Sequence, residues 1–340
     1  MQTTLLKSQS THLLLSPLIA YFMMVSFSAT SSTLSADLVS TPQNSIQDDT
    51  SVKQAVIKST ILLPLTPHTA QYKAYYGSIE LGDAKYTLPA TDSGYYNYLF
   101  ESEVGLLMLS DERKLQSDFT LENGKLVPFR YVHYRTGTGS DYTEQTAFAK
   151  SQNFIHTIYK QEALKLDYQE LIFDPLMVQL QFRMDVISNK RPLNYKMVKE
   201  KEVDEYDFKI IGNETITVAG GTFETVKFEV VRESTKRRTF FWMAPKLAYL
   251  PIRLSHFSKG SKQLDIQLAQ YHFDKPLTDI PSLDIDHEKR IFDAYMAEKS
   301  LIKQASTVEK DISDDEDLPE VSHDEISEKE MLDIKKMVVD

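Results

Sequence analysis

From Gln71 onward the chain alternates apolar and polar positions with a period of two, the spacing of half-buried β-strands. Tyr72, Ala74 and Tyr76 share a face, Gly77 interrupts, and Ile79 and Leu81 resume before Gly82-Asp83, which reads as a turn. Ala84, Tyr86 and Leu88 fall on one face, as do Tyr96, Tyr98 and Phe100 after Ser93-Gly94. The pattern predicts further strands over 117–121, 127–135, 142–149 and 154–159, with Asn123-Gly124 as a hairpin turn suited to positive φ. Strands return over 206–211 and 214–218, and Phe223 to Leu254 reads as a meander of three. There Val226, Phe228 and Val230 face one way, and Lys227 and Glu229 the other; Arg238, Phe240 and Trp242 share a face on the next strand. Leu264, Ile266 and Leu268 alternate with Asp265 and Gln267 in a last strand that ends near Phe273.

Two segments break this rhythm. Asp174 suits an N-cap and Pro175 a first helical turn, and Leu176, Met177, Leu180 and Met184 then recur at helical spacing. This predicts one helix near 174–186, packed against the sheet. Asp286 to Lys303 predicts a polar helix with Ile291, Phe292 and Tyr295 as its apolar stripe. The fold class is therefore mainly β, with an acidic C-terminal tail that is helical or disordered.

Charge locates that tail. Residues 283–340 hold 18 acidic and 8 basic side chains, nearly all of the chain's net charge of −11. The remaining body is close to neutral, which argues against a nucleic-acid surface, because that needs clustered cations. With no Cys there is no disulfide, no thiolate metal site and no cysteine to carry a lipid. Lys7 precedes an apolar run from Leu13 to Phe27. That run falls short of the roughly 20 residues a bilayer span needs. It suits a secretory signal, with Ser26 and Ser28 at the cleavage positions. The expected organisation is a signal peptide over 1–28, a Ser/Thr/Pro-containing linker over 29–70, a β-rich domain over 71–275 and the tail over 276–340. A periplasmic location follows, with no transmembrane span after cleavage; an uncleaved signal anchor is the alternative.

Catalytic chemistry finds little support. The chain has no H-E-x-x-H, G-x-S-x-G or phosphate-loop motif. His256 and His272 each end an apolar strand face and could approach each other if those strands were neighbours. A third metal ligand is not nominated, so rim histidines are the plainer reading. Gly137 to Asp141 lies between strands and reads as a hairpin loop, Glu101 and Glu103 as exposed carboxylates, and Lys236-Arg237-Arg238 as a solvated turn. No enzyme activity and no cofactor are expected.

The body resembles the DUF3108 family of exported bacterial proteins of unknown function. The likeness rests on the segment from Tyr72 to Ala84, Gly124-Lys-Leu-Val-Pro128, the Asp174 to Arg183 helix, and Trp242-Met-Ala-Pro245 with Leu250-Pro-Ile-Arg253. It covers about 72–273. The resemblance implies a strongly curved antiparallel sheet or half-open barrel, similar to the half-barrels of periplasmic lipoprotein carriers. It supplies no catalytic residues.

The 18 Tyr and 17 Phe leave two readings open. They build an ordinary core, or they line a concave surface for a hydrophobic ligand. On the second reading the inner wall includes Tyr76, Phe228, Phe240 and Trp242. The expected function is then a non-enzymatic periplasmic binding or carrier-like protein for a lipid-like molecule. The alternative is a structural or interaction module that binds an envelope protein through the β body and the acidic tail.

Overall fold

The computed structural model describes residues 63–313 apart from 234, 279 and 281, with side chains through residue 304. The expected signal peptide, most of the linker and the end of the acidic tail lie outside those residues. The first half of the body is an eight-stranded meander: β1 (His68–Tyr76), β2 (Ile79–Leu88), β3 (Tyr95–Leu106), β4 (Leu109–Glu122), β5 (Lys125–Gly137), β6 (Tyr142–Ala149), β7 (Phe154–Tyr159) and β8 (Glu162–Asp167). A short β9 (Ile172–Phe173) and helix α1 (Val178–Ile187) follow. The second half is β10 (Asn194–Lys199), β11 (Glu202–Val218), β12 (Gly221–Val230), β13 (Arg237–Ala244), β14 (Leu250–Ser258) and β15 (Ser261–Phe273), then helix α2 (Ile285–Ser313).

All fifteen strands form one sheet in the order β8 to β1, then β15 down to β9. β1 is thus central: it pairs with β2 on one side and with β15 on the other, both antiparallel. Only the β9–β10 pair is parallel. The chain lays one wing outward, crosses through α1, and returns along a second wing to its starting strand.

Both wings curl around α1. Gln179 reaches Tyr86 Oη on β2 at 3.2 Å, and Gln181 accepts the Leu126 backbone N–H on β5 at 3.1 Å. From the other wing, Tyr195 Oη on β10 donates to Asp185 at 3.0 Å. Residues 178–186 are all buried, polar ones included. A helix enclosed on every side needs no polar face, so its stripe of hydrophobic positions is interrupted by residues that hydrogen-bond instead. The free edges of the sheet are β8 and β9, with no ladder between them. Lys201, at the β10–β11 turn, contacts Glu162 on β8.

Four local expectations change. Gly82 is no turn: the chain reverses at Gly77-Ser78, and Gly82 sits inside β2 beside an irregular register. Its φ of +147° and close approach to the Glu103 backbone on β3 explain the glycine. The helix begins at Val178 rather than Asp174, yet Asp174 still serves its first turn: Oδ1 accepts the N–H groups of Leu176 and Met177 at 2.9 and 2.8 Å. The segments expected over 206–211 and 214–218 are one long β11, with a register shift at Gly212. The C-terminal helix runs from Ile285 beyond Lys303 to Ser313 and is tied to β11 by Tyr295 and Lys299, which both bond Asp207.

Candidate functional site

The concave face is aromatic in both wings. On β1–β3, Tyr86 packs against Tyr72, Tyr98 and Phe100 with ring centroids 4.6–5.7 Å apart. On the other wing, Phe182 of α1 meets Phe208, Phe228 and Phe241 at 5.1–5.5 Å. Edge-on and offset arrangements of this kind favour ring packing beyond simple burial. α1 therefore occupies much of the hollow that the sheet encloses.

A recess remains at the central seam, lined by Tyr72, Tyr86, Phe100, Gln179, Leu254 and Ile266. Its volume is about 20 Å³, room for roughly one water. Ligand pockets commonly reach roughly 300–1,000 Å³. An acyl chain can enter here only if α1 gives way. Polar groups also reach the recess wall: the Tyr86 hydroxyl and its partner Gln179, the Tyr72 hydroxyl, which donates to the Pro251 carbonyl at 2.9 Å, and Arg253. Burial pushes the Tyr86 phenol up to about 12, so it stays protonated and can donate. Behind the seam, the Arg183 guanidinium of α1 is 1% exposed, donates to the Ala248 carbonyl at 2.9 Å, and lies 3.4 Å from His68 Nε2.

The four residues expected on the inner wall do not share one. Phe228 is fully buried on the concave side. Phe240 and Trp242 lie on the opposite face of the sheet, since β12–β13 register sets them against Glu229 and Lys227. Trp242 is covered there by Lys227 and Arg253, 4.8 and 5.5 Å from its ring, and its Nε1 donates to Glu214 at 2.7 Å. Tyr76, 44% exposed, sits at the β1–β2 hairpin end. His256 and His272 also stay apart: His256 is buried and bonds Thr239 Oγ1, whereas His272 is exposed beside Asp274. Among the described residues no group of three His, Cys, Asp or Glu side chains could hold a metal.

A polar cluster that strand alternation alone did not bring to notice lies on the concave side of the first wing. Tyr131 and His133 of β5 and Glu144 of β6 are fully buried, and Arg113 of β4 is 2% exposed. Arg113 is paired with Asp111, whose carboxylate also takes Arg135 at 2.8 Å. His133 Nδ1 lies 3.7 Å from Glu144, and burial lowers its pKa, so the imidazole is neutral. The sequence signal was present, a Tyr, His and Glu on inward positions of predicted strands, but their mutual register was not.

The family model for proteins of unknown function, DUF3108, matches residues 71–267. No curated protein matches the chain. Among solved structures, it is similar to a β-barrel-like DUF1849 protein from Brucella abortus, with 9% identity, 62% of this chain and 98% of that one covered, and a TM-score of 0.44. A putative lipoprotein from Parabacteroides distasonis shows 12% identity over 61% and 95%, with a TM-score of 0.25. LprF from Mycobacterium bovis shows 14% over 68% and 97%, with a TM-score of 0.23. Likenesses this distant carry no weight in the functional reading.

Proposed function

The chain belongs to the DUF3108 family, and since that family brings no established activity, we propose from the site itself an exported, non-enzymatic binding protein for a lipid-like ligand. The apolar part of the ligand lies on the concave face, between α1 and the seam of β1–β3 with β14–β15. One observation carries this reading: an apolar recess on the concave side, ringed by Tyr72, Tyr86, Phe100, Leu254 and Ile266. The recess is the starting point for a ligand that displaces part of α1, whose buried Gln179, Gln181 and Asp185 hold the walls through hydrogen bonds that can be remade. Export rests on Lys7 and the apolar run from Leu13 to Phe27. No helix among the described residues is long and apolar enough to cross a membrane.

Titration with a fluorescent fatty acid tests the site. The wild-type protein should saturate, and Ile266→Arg, which places a cation at the half-buried recess wall, should bind at least tenfold more weakly. A wild type that never saturates would remove the basis of the reading.

A second reading, an envelope interaction module, draws on a different feature. Leu107 and Met108 form the tip of the β3–β4 hairpin at 99% and 96% exposure, and Ile79, at the start of β2, is 50% exposed. Exposed apolar tips of this kind suit contact with a partner. On this reading Leu107→Ser with Met108→Ser weakens cross-linking to an envelope protein and leaves fatty-acid titration unchanged.

A further inference from the structure

One row of paired residues crosses the concave face from the recess to the buried polar cluster. Tyr86 is opposite Phe100, Phe100 opposite Leu115, Leu115 opposite His133, and His133 opposite Glu144. With strands about 4.8 Å apart, Phe100 and Glu144 are separated by roughly 14 Å. The row therefore changes from aromatic to aliphatic to polar along a line perpendicular to the strands.

Its polar end has unused bonding capacity. Tyr131 Oη, both ring nitrogens of His133 and Glu144 Oε2 are buried without a hydrogen-bond partner among the described residues, although His133 Nδ1 and Glu144 Oε2 face each other at 3.7 Å. Four such atoms in one place are unusual, because buried polar groups are nearly always satisfied. Their chemistry narrows the ligand. A carboxylate oxygen needs a donor, a neutral imidazole offers one donor and one acceptor, and a phenol does either. Arg113 and Arg135 stand here against Asp111 and Glu144, with the buried Asp174 carboxyl also near Tyr131. An uncharged group bearing hydroxyls answers all four atoms; an anion would face Glu144, and a cation the two arginines.

The cover over this end is held by contacts that involve side chains, among them one between Tyr159 and Glu200. The Glu200 N–H donates to Glu144 Oε1, Thr157 Oγ1 donates to the Glu200 carbonyl at 2.7 Å, and Lys201 contacts Glu162 on the free edge strand β8. Here the two wings meet through side chains and not through a backbone ladder, so the gap can open without breaking the sheet.

We propose that the gap between β8 and the β10–β11 turn is the portal to the concave face, and that Tyr131, His133 and Glu144 beneath it bind the uncharged, hydroxyl-bearing head of an amphiphile whose apolar chain runs toward Phe100 and Tyr86. This rests on the lipid-binding reading above and adds the headgroup and the route.

Calorimetry on the whole protein with a 1-monoacylglycerol and the fatty acid of the same chain length tests it. Two or three net hydrogen bonds of roughly 1 kcal/mol each correspond to a preference of about thirtyfold to a hundredfold for the monoacylglycerol. Tyr131→Phe should cut that preference severalfold while the urea midpoint holds or rises, because the lost hydroxyl has no partner to strand. Lys201→Glu, which turns the Lys201–Glu162 contact into a repulsion, should quicken association in stopped flow. Equal affinity for the two lipids, or a preference that Tyr131→Phe leaves intact, overturns the headgroup assignment while lipid binding stands. An unchanged association rate for Lys201→Glu overturns the portal. If neither lipid binds, the parent reading falls and this one with it.

Discussion

Phe228 and Phe241 stand directly opposite each other in the β12–β13 register, with rings 5.3 Å apart and 9° from parallel. Because side chains alternate across a sheet, Phe240 must then point away from them. Phe228→Ala empties a fully buried position and should cost about 3–5 kcal/mol. Phe240→Ala, at a half-buried outer position, should cost less than half as much. Urea unfolding of the two variants checks the ranking, and equal losses would contradict the face assignment.

Trp242 is the sole tryptophan, so its emission reports one place. Glu214→Ala removes the acceptor of its indole N–H. Leaving that donor unpaired should lower stability by about 1–3 kcal/mol. The emission maximum should move with it; an unchanged spectrum and midpoint would show that the contact contributes nothing.

Two buried groups should give opposite pH dependences. Burial, with Arg183 adding to it, lowers His68 to about 3, so below its unfolded value of 6.5 the unfolded chain takes up a proton that the fold refuses. Stability from His68 is therefore lost as pH falls from about 6.5 toward 3, and His68→Gln should flatten that decline. Burial raises Asp174 to about 7 against an unfolded value of 3.8, so there the fold holds the extra proton. Its contribution is present at low pH and is lost as pH rises through that window. Asp174→Asn should gain on the wild type between about pH 4 and 7; urea midpoints measured across that range decide, and a relative loss contradicts the assignment.

Gly82→Ala should be severe. An added Cβ would overlap the Glu103 carbonyl oxygen and lie 2.9 Å from Val104 Cα, at a φ of +147°. Strain and overpacking together should cost about 3 kcal/mol or more. Gly77→Ala, at a hairpin with nothing within 4 Å, is the matched control and should cost about 1–2 kcal/mol. Thermal unfolding of the pair separates packing from backbone strain.

The two-residue period made the strands legible: β6 and β7 have the expected ends, and the body is mainly β. Periodicity identifies a strand's two faces without naming the inner one. Alternation alone lets Phe228 and Phe240 read as one wall, because the register between their strands is a tertiary fact. β8 and β10 carry only a weak alternation, because Glu162, Lys165 and Asp167 in one and Lys196 and Lys199 in the other interrupt their apolar positions. The fully enclosed α1 was legible as a helix from Leu176, Met177, Leu180 and Met184. That it fills the hollow depends on its polar residues, Gln179, Gln181, Arg183 and Asp185, each bonded to a partner brought there by the curl of the sheet.

Native mass spectrometry of the protein purified from the cells that make it looks for the ligand itself. A bound amphiphile of discrete mass is expected, retained by the wild type and lost in Ile266→Arg. A wild type that is uniformly free of lipid, and that also fails to take up added monoacylglycerol or fatty acid, would contradict it.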